Sequence, residues 1–355
     1  MKTIGVLTSG GDAPGMNAAI RSVVRTAASL GMKIKGIRRG YNGLIENDIF
    51  DMDIRSVSDI IQRGGTILYT ARSPRFKTEE GMQEAIRNCI ANEIEGIVVI
   101  GGDGSYRGAR DLSLRGIPCI GIPGTIDNDI SSTDYTIGFD TAMNTVVETV
   151  DKLRDTAQSH DRCSVVEVMG HGAGDIALQC GIAVGATAIL VPEIKSNLTE
   201  VISKITETKN NGRNHFIIIV SEGVYDVKEL AQRIQDETGI ESRATILGHV
   251  QRGGNPTLRD RLIASKMGFA AVELLSKGIG NRVVGLKDNK IVNYDIFDAL
   301  NMSKSFDKET YDLSNIISIS FSSSIASQRR RIYFFLFYPL LIIIQLFFQF
   351  KYFLL

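Results

Sequence analysis

Short apolar runs alternate with longer amphipathic segments along most of the chain. Runs at residues 4–7, 97–100, 118–122, 165–168, 216–220 and 244–247 have strand length and almost no polar interruption. Between them apolar residues recur at three- and four-residue spacing, as in Met143, Val146, Val147, Val150, Leu153 and Ala157, the signature of a helix with one buried face. Strands this apolar must be covered on both sides. The alternation therefore predicts an α/β fold of mostly parallel sheet flanked by helices, arranged as two similar lobes with a cleft between them. No internal repeat or low-complexity linker marks the lobe boundary. Residues 1–8 read directly as a strand, with no charged leader ahead of a long apolar run, so no secretory signal is expected.

The pattern breaks near residue 320. Ser322, Ser323 and Ser324 are followed by Arg329, Arg330 and Arg331. Then comes an apolar stretch, 332–355, interrupted only by Pro339, Gln345, Gln349 and Lys351. It is long enough to span a bilayer, and the arginines suit a cytoplasmic flank, so one reading is a C-terminal membrane anchor. The reading preferred here is an extension foreign to the body, such as an out-of-frame reading of the gene's end, because nothing in the body prepares for an anchor.

Charge matters once the tail is set apart. The whole chain holds 40 basic and 40 acidic residues; the last 31 residues carry four basic groups and no acid, which leaves the body at −4. A mildly acidic body gives no support for nucleic-acid binding, which wants a basic face. The four cysteines, Cys89, Cys119, Cys163 and Cys180, form no CxxC pair and most lie in apolar runs. Buried free thiols in a reducing cytosol are expected, and the location read from this is cytoplasmic.

Four groups of residues carry chemistry. Thr8 to Asn17, TSGGDAPGMN, stands between a strand and a helix, and its paired Gly10 and Gly11 let backbone N–H groups approach a ligand at the helix's positive end. Phosphate is the natural occupant, although a tight turn would look the same. It is neither a Walker loop nor GxGxxG. Gly101-Gly102-Asp103-Gly104-Ser105 repeats the layout after the strand at 96–100, now with a carboxylate placed to hold a phosphate-bridging cation. Pro123-Gly124-Thr125-Ile126-Asp127-Asn128-Asp129 puts two acids on a loop at a strand's carboxyl end, where open α/β sheets bind ligands. One of the two can serve as a base while the other positions a cation. The fourth group is basic: Arg72, Arg162, Arg243, and His249 with Arg252 in the glycine-flanked run 248–254, which look like grips for a phosphate monoester. Glycine-rich phosphate loops, a cation ligand and a base together point to phosphoryl transfer, which needs positioning and charge neutralisation more than covalent help.

The runs GGDAPGMNAAIR, QRGGT, GGDGSYRGA, PGTIDND, RDTAQSH, VVEVMG and LGHVQRGG occur here in an order and spacing that resembles the bacterial 6-phosphofructokinases, from Lys2 to about Ile319. That resemblance implies an ATP-binding lobe of residues 1–138 plus about 256–304, and a fructose-6-phosphate-binding lobe of 139–255 plus about 305–319. The tail at 320–355 stays outside the pattern. It implies a homotetramer that converts ATP and fructose 6-phosphate to ADP and fructose 1,6-bisphosphate, with Mg²⁺ as cofactor. Asp127 would be the base, and Asp103 would hold Mg²⁺ with Asp129 close by. Gly11, Arg72, Ser73, Gly102, Asp103, Gly104 and Ser105 would contact ATP. Thr125, Ile126, Met169, Gly170, His171, Glu222, His249, Val250, Gln251 and Arg252 would hold the sugar phosphate, with Arg162 and Arg243 reaching in from a neighbouring subunit. Arg21, Arg25, Arg55, Asp59, Arg154, Gly185, Arg213 and His215 would line a nucleoside-diphosphate effector site between subunits.

The chain departs from that pattern in places. His171 stands where arginine is usual, a weaker donor without arginine's permanent charge. In the effector region Ile54 replaces an arginine, Thr187 an acid and Asn211 a cation. Pyrophosphate-using relatives carry an acid at the position of Gly104 and a lysine at that of Gly124; glycine at both makes ATP the expected donor. Two other readings remain open at this point. A lipid or NAD kinase also carries GGDG loops but lacks the 248–254 grip, and a non-catalytic nucleotide sensor would fit His171 and the altered effector region but not the intact Asp103, Asp127 and Asp129.

Overall fold

A computed structural model of the protein describes residues 1–318, so the apolar tail and the anchor reading attached to it lie outside the described residues. Among the described residues no helix is long and apolar enough to cross a membrane. In chain order the strands are β1 Thr3–Ser9, β2 Lys33–Ile37, β3 Ile49–Met52, β4 Gly96–Gly101, β5 Cys119–Pro123, β6 Cys163–Val168, β7 Ala188–Leu190, β8 Phe216–Ser221, β9 Ser242–Ile246, β10 Arg282–Lys287 and β11 Lys290–Asp295. They form one sheet of seven, ordered β11-β10-β5-β4-β1-β2-β3, and one of four, ordered β7-β8-β6-β9.

Each predicted apolar run is a strand, and the most apolar ones are central. β1, β4 and β5 are buried along their whole length and pair in parallel. The smaller sheet is parallel throughout. Antiparallel pairs occur only at the two margins of the larger sheet, β2 with β3 and β10 with β11. Those margins were not foreseen. β2 alternates lysine with isoleucine, and β3 is short and carries Asp51. The hairpin β10–β11 turns on Asp288 and Asn289, both left-handed at φ 49° and 60°, the geometry that a two-residue hairpin turn requires. The run at 244–247 is correspondingly an edge strand that stops at Ile246, a side chain that is exposed.

Strand register fixes where the motif loops meet. Ser9 pairs with Gly101, and Gly101 with Pro123, so the loops after β1, β4 and β5 leave the larger sheet side by side at its carboxyl end. In the smaller sheet Val168 pairs with Ser221 and Glu167 with Ile246, which brings the loops after β6, β8 and β9 together in the same way. Helix Phe139–Ser159 follows the third motif and packs on β6 through the periodic face foreseen for it: Val146, Val150 and Ala157 are buried, with Met143, Val147 and Leu153 packed against the core. One apolar cluster runs through both sheets, from Ile4 and Val6 to Val166 and Ile219. The four cysteines are buried and unpaired, and burial pushes the Cys89, Cys163 and Cys180 thiols up to about 12, which makes them inert.

A single buried carboxylate ties this arrangement together. Asp260, in helix Leu258–Ser276, is fully buried and accepts from Gly138 N at 2.8 Å, Thr141 N at 2.9 Å and Thr141 Oγ1 at 2.5 Å, holding the start of helix Phe139–Ser159. Removing the acceptor strands three donors in the core, and an unsatisfied buried donor costs about 1–3 kcal/mol. Asp260→Ala is therefore expected to lose about 3–5 kcal/mol of stability, read from urea melts. A loss under about 1 kcal/mol would mean that water replaces the carboxylate.

Candidate active site

The three loops at the carboxyl end of the larger sheet open on a cavity of about 660 Å³. Gly10 sits at φ 88°, where a side chain would be strained, and lets the chain turn from β1 toward helix Met16–Ser29. Thr8 Oγ1 donates to Tyr69 O at 2.7 Å and Thr70 Oγ1 to Gly10 O at 2.6 Å. These two bonds dock the 69–73 segment on the first loop and so bring Arg72 and Ser73 to the cavity wall. The Ser73 hydroxyl is buried without a partner, a polar group left available to a ligand.

On the second loop Gly102 caps helix Asp103–Ser113, whose first turn lines the cavity. Unpaired backbone N–H groups and the positive end of the helix dipole therefore face the space. A Cβ added at Gly104 would meet nothing within 4 Å, so this wall is bare. Asp103 pairs with Arg107 at 2.9 Å one turn on, and both side chains remain about half exposed.

The third loop supplies the most unusual group. Asp127 is 6% exposed. Its Oδ2 accepts from Thr125 Oγ1 at 3.0 Å, whereas its Oδ1 is buried with no partner. Burial, then the charge of Asp129, holds the Asp127 carboxyl above the usual range, against the opposing pull of Arg252, Thr125 and His171. The loop is locked by Asn128, left-handed at φ 54°, whose Oδ1 accepts from Thr136 N at 3.1 Å. Lys304 Nζ donates to Asn128 O and bridges to Asp175 at 3.0 Å. Ile126, expected at the substrate, has a fully buried side chain; only its backbone belongs to the loop.

The smaller sheet contributes His171 and Arg252. Glu222 Oε1 accepts from Gly170 N at 3.2 Å and His171 N at 2.8 Å, holding His171 at φ 50° with its ring 3.5 Å from Asp129 Oδ2. Gln251 is fully buried and its Oε1 accepts from Met169 N at 3.2 Å. Glu222 and Gln251 thus spend these atoms on loop geometry, and neither lines the cavity. His249 and Val250 are exposed on the short 3₁₀ turn Gly248–Arg252 beside it. Arg252 reaches across to Asp12 O at 3.4 Å, through space that a side chain at Gly11 would occupy.

Two groups of expected residues lie elsewhere. Arg162 and Arg243 both pair with Glu241, next to the amino ends of β6 and β9. Met169 and Arg252 belong to the opposite ends of those strands, roughly 15–20 Å away at the rise of a β-strand. Arg154, Arg213 and His215 form a basic group: burial and the charge of Arg154 hold Arg213 low, and burial followed by Arg213 and Arg154 holds His215 low. Lys204 joins them, lowered by burial and by Arg213, and sequence reasoning missed it because nothing in helix Leu198–Asn210 marks it. Thr187 is buried with its hydroxyl unpartnered, Gly185 is left-handed at φ 58°, and Ile54 is exposed. Arg21 and Arg25 are on helix Met16–Ser29, while Arg55 and Asp59 follow β3. Also missed were Tyr41, Phe76 and Lys77, which line the cavity. Tyr41 and Phe76 stack at 4.0 Å, and Tyr41 Oη donates to Ser105 O at 2.5 Å, a flat wall that no local motif announces.

Residues 3–275 match the phosphofructokinase family (described as "Phosphofructokinase"). The chain belongs to that family. The ATP-dependent 6-phosphofructokinase of Clostridium botulinum is 57% identical over 318 residues, which are 90% of this chain and 100% of that one. Its counterpart in Clostridium acetobutylicum is 56% identical over the same shares. Among solved structures, the Saccharomyces cerevisiae phosphofructokinase superposes with a TM-score of 0.80 at 34% identity, covering 89% of this chain and 47% of that longer one. A pyrophosphate-dependent phosphofructokinase from Marinobacter aquaeolei superposes at 0.79 with 21% identity over 91% and 93% of the two chains, a likeness of fold alone.

Proposed function

We propose that this chain transfers the γ-phosphoryl group of ATP to the 1-hydroxyl of fructose 6-phosphate, giving ADP and fructose 1,6-bisphosphate. The observation that carries the mechanism is Asp127, a buried carboxylate that lines the same cavity as the glycine-bordered helix start and whose Oδ1 has no partner. Thr125 fixes the other oxygen, so the carboxylate presents one accepting atom in one direction, and a sugar hydroxyl seated there loses its proton to it as the phosphorus arrives. Gly102 and Gly104 leave the start of the helix bare toward the phosphates, Ser105 lines the cavity beside them, Arg72 and Ser73 flank them from the docked segment, and Gly11 leaves room for the Arg252 guanidinium to cross to the first loop. The stacked Tyr41 and Phe76 give the nucleoside an apolar wall. Arg252 and His249 grip the sugar's phosphate, with Met169, Gly170, His171, Glu222, Val250 and Gln251 shaping that end of the site.

Mg²⁺ fits the donor set. Hard carboxylate oxygens of Asp103 and Asp129 line the cavity, and when bound the ion supplies charge neutralisation across the transferring phosphates. We assign residues 1–138 with about 256–304 to the nucleotide side and 139–255 with about 305–318 to the sugar side. The separation of Arg162 and Arg243 from their own chain's cavity supports an assembly in which a neighbouring subunit supplies them, in keeping with the homotetramer that the family resemblance implies.

The deciding experiment is a coupled assay of purified protein with fructose 6-phosphate, comparing ATP with pyrophosphate. Turnover with ATP and none with pyrophosphate is expected; the reverse would overturn the donor assignment. Activation by a nucleoside diphosphate should be weak, because Thr187 offers no carboxylate for the effector's metal and Ile54 no charge. Adding ADP should leave the fructose 6-phosphate saturation curve nearly in place, and a strong leftward shift would contradict this.

A further inference from the structure

Outside the glycine loops, Asp127, Asp129 and His171 are brought together with one ligand atom from each within 4.8 Å of the others. Two acids and an imidazole from different sheets do not converge through local sequence. The Glu222 bonds to Gly170 N and His171 N aim the ring at Asp129. His171 Nδ1 and Asp129 Oδ2 are 3.5 Å apart, and at metal–ligand bonds of about 2.1 Å that separation subtends roughly 110°, near the tetrahedral angle. A further observation is Asp127 itself: the residue is 6% exposed and lines the same cavity, and its buried Oδ1 has no partner. Closing the set requires side-chain movement, and the His171 ring, 80% exposed, is free to move.

Donor chemistry decides which ion this group prefers. Mg²⁺ favours oxygen and keeps its waters, whereas an imidazole nitrogen beside two carboxylates suits Zn²⁺ or Co²⁺. An ion here also relieves the repulsion between the two acids. We propose that Asp127, Asp129 and His171 form a site for a borderline divalent cation such as Zn²⁺, which would compete for Asp129 with the Mg²⁺ that accompanies the nucleotide, and that an ion held there inhibits by occupying Asp127. The inhibitory half rests on Asp127 acting as the base; the binding half does not.

The test uses the full chain without nucleotide, titrated with ZnCl₂ by calorimetry and with CoCl₂ by visible absorption. One ion per chain is expected. His171→Ala, at an exposed side chain, should weaken binding by at least about ten-fold, and His171→Arg equally, since a guanidinium has no lone pair to give. Asp103→Asn should leave the affinity within about two-fold, because that carboxylate is not part of the group. Unchanged affinity in His171→Ala, or an equal loss in Asp103→Asn, would overturn the site. With binding established, Zn²⁺ should raise the apparent KM for fructose 6-phosphate in the parent and not in His171→Ala, each measured against its own zinc-free rate. Inhibition that is absent, or identical in both, would overturn the inhibitory half while leaving the binding result standing.

Discussion

Replacing Asp127 with asparagine is expected to lower kcat by roughly 10² to 10⁴ while leaving the fold and the affinity for ATP nearly unchanged, because a positioned general base contributes about that factor. The amide keeps the shape and the contact with Thr125 but has no charge with which to draw off a proton. The surroundings of Asp127 add a pH signature. Burial and Asp129 hold its carboxyl above the ordinary range, and a base works only when ionised, so kcat/KM should fall on the acid side at a higher pH than an exposed aspartate would give. Asp129→Asn removes one of the two raising influences, so the acid limb should move to lower pH, whatever happens to the maximal rate. A limb that stays in place, or an Asp127→Asn enzyme with near-normal kcat, would show that another group takes the proton.

Much of this site was legible because its parts are local. GGDGS and PGTIDND each lie on one loop, and the apolar runs before them could only be strands buried on both faces. Asp103, Asp127 and Arg252 therefore reach the cavity where strand-end reasoning puts them. What stayed hidden was contributed by tertiary contact. Tyr41 and Phe76 form a wall only because residues far apart in sequence stack. Glu222 and Gln251 are substrate ligands on the family resemblance, yet these side-chain oxygens are taken by backbone N–H groups of the 169–171 loop. Lys204 has no motif around it and joins the Arg154–Arg213 group only through the packing of its helix. The marginal strands were missed for different reasons: lysines interrupt the apolar pattern of β2, whereas the short buried run Val283, Val284, Gly285 and Leu286 of β10 was there to notice and was passed over.

Gly104→Asp is expected to raise the KM for ATP about a hundred-fold without destabilising the protein. The position is the second residue of helix Asp103–Ser113, and a Cβ there meets nothing within 4 Å, so the new side chain has room. An acid in a helix's first turn is favourable to the helix, which removes the usual confusion between a lost site and a lost fold. The carboxylate would, however, stand in the cavity wall where the phosphates of the nucleotide belong. A unit charge about 5 Å from another costs about 3 kcal/mol at an effective dielectric of about 20, which is a factor of roughly 10² in binding. Gly104→Ala separates size from charge: an uncharged methyl in open space should change the KM for ATP by no more than about two-fold. Melting curves taken with the kinetics complete the comparison. If the aspartate variant binds ATP as the parent does, the phosphates do not lie against this helix start, and the nucleotide must be placed on another wall of the cavity.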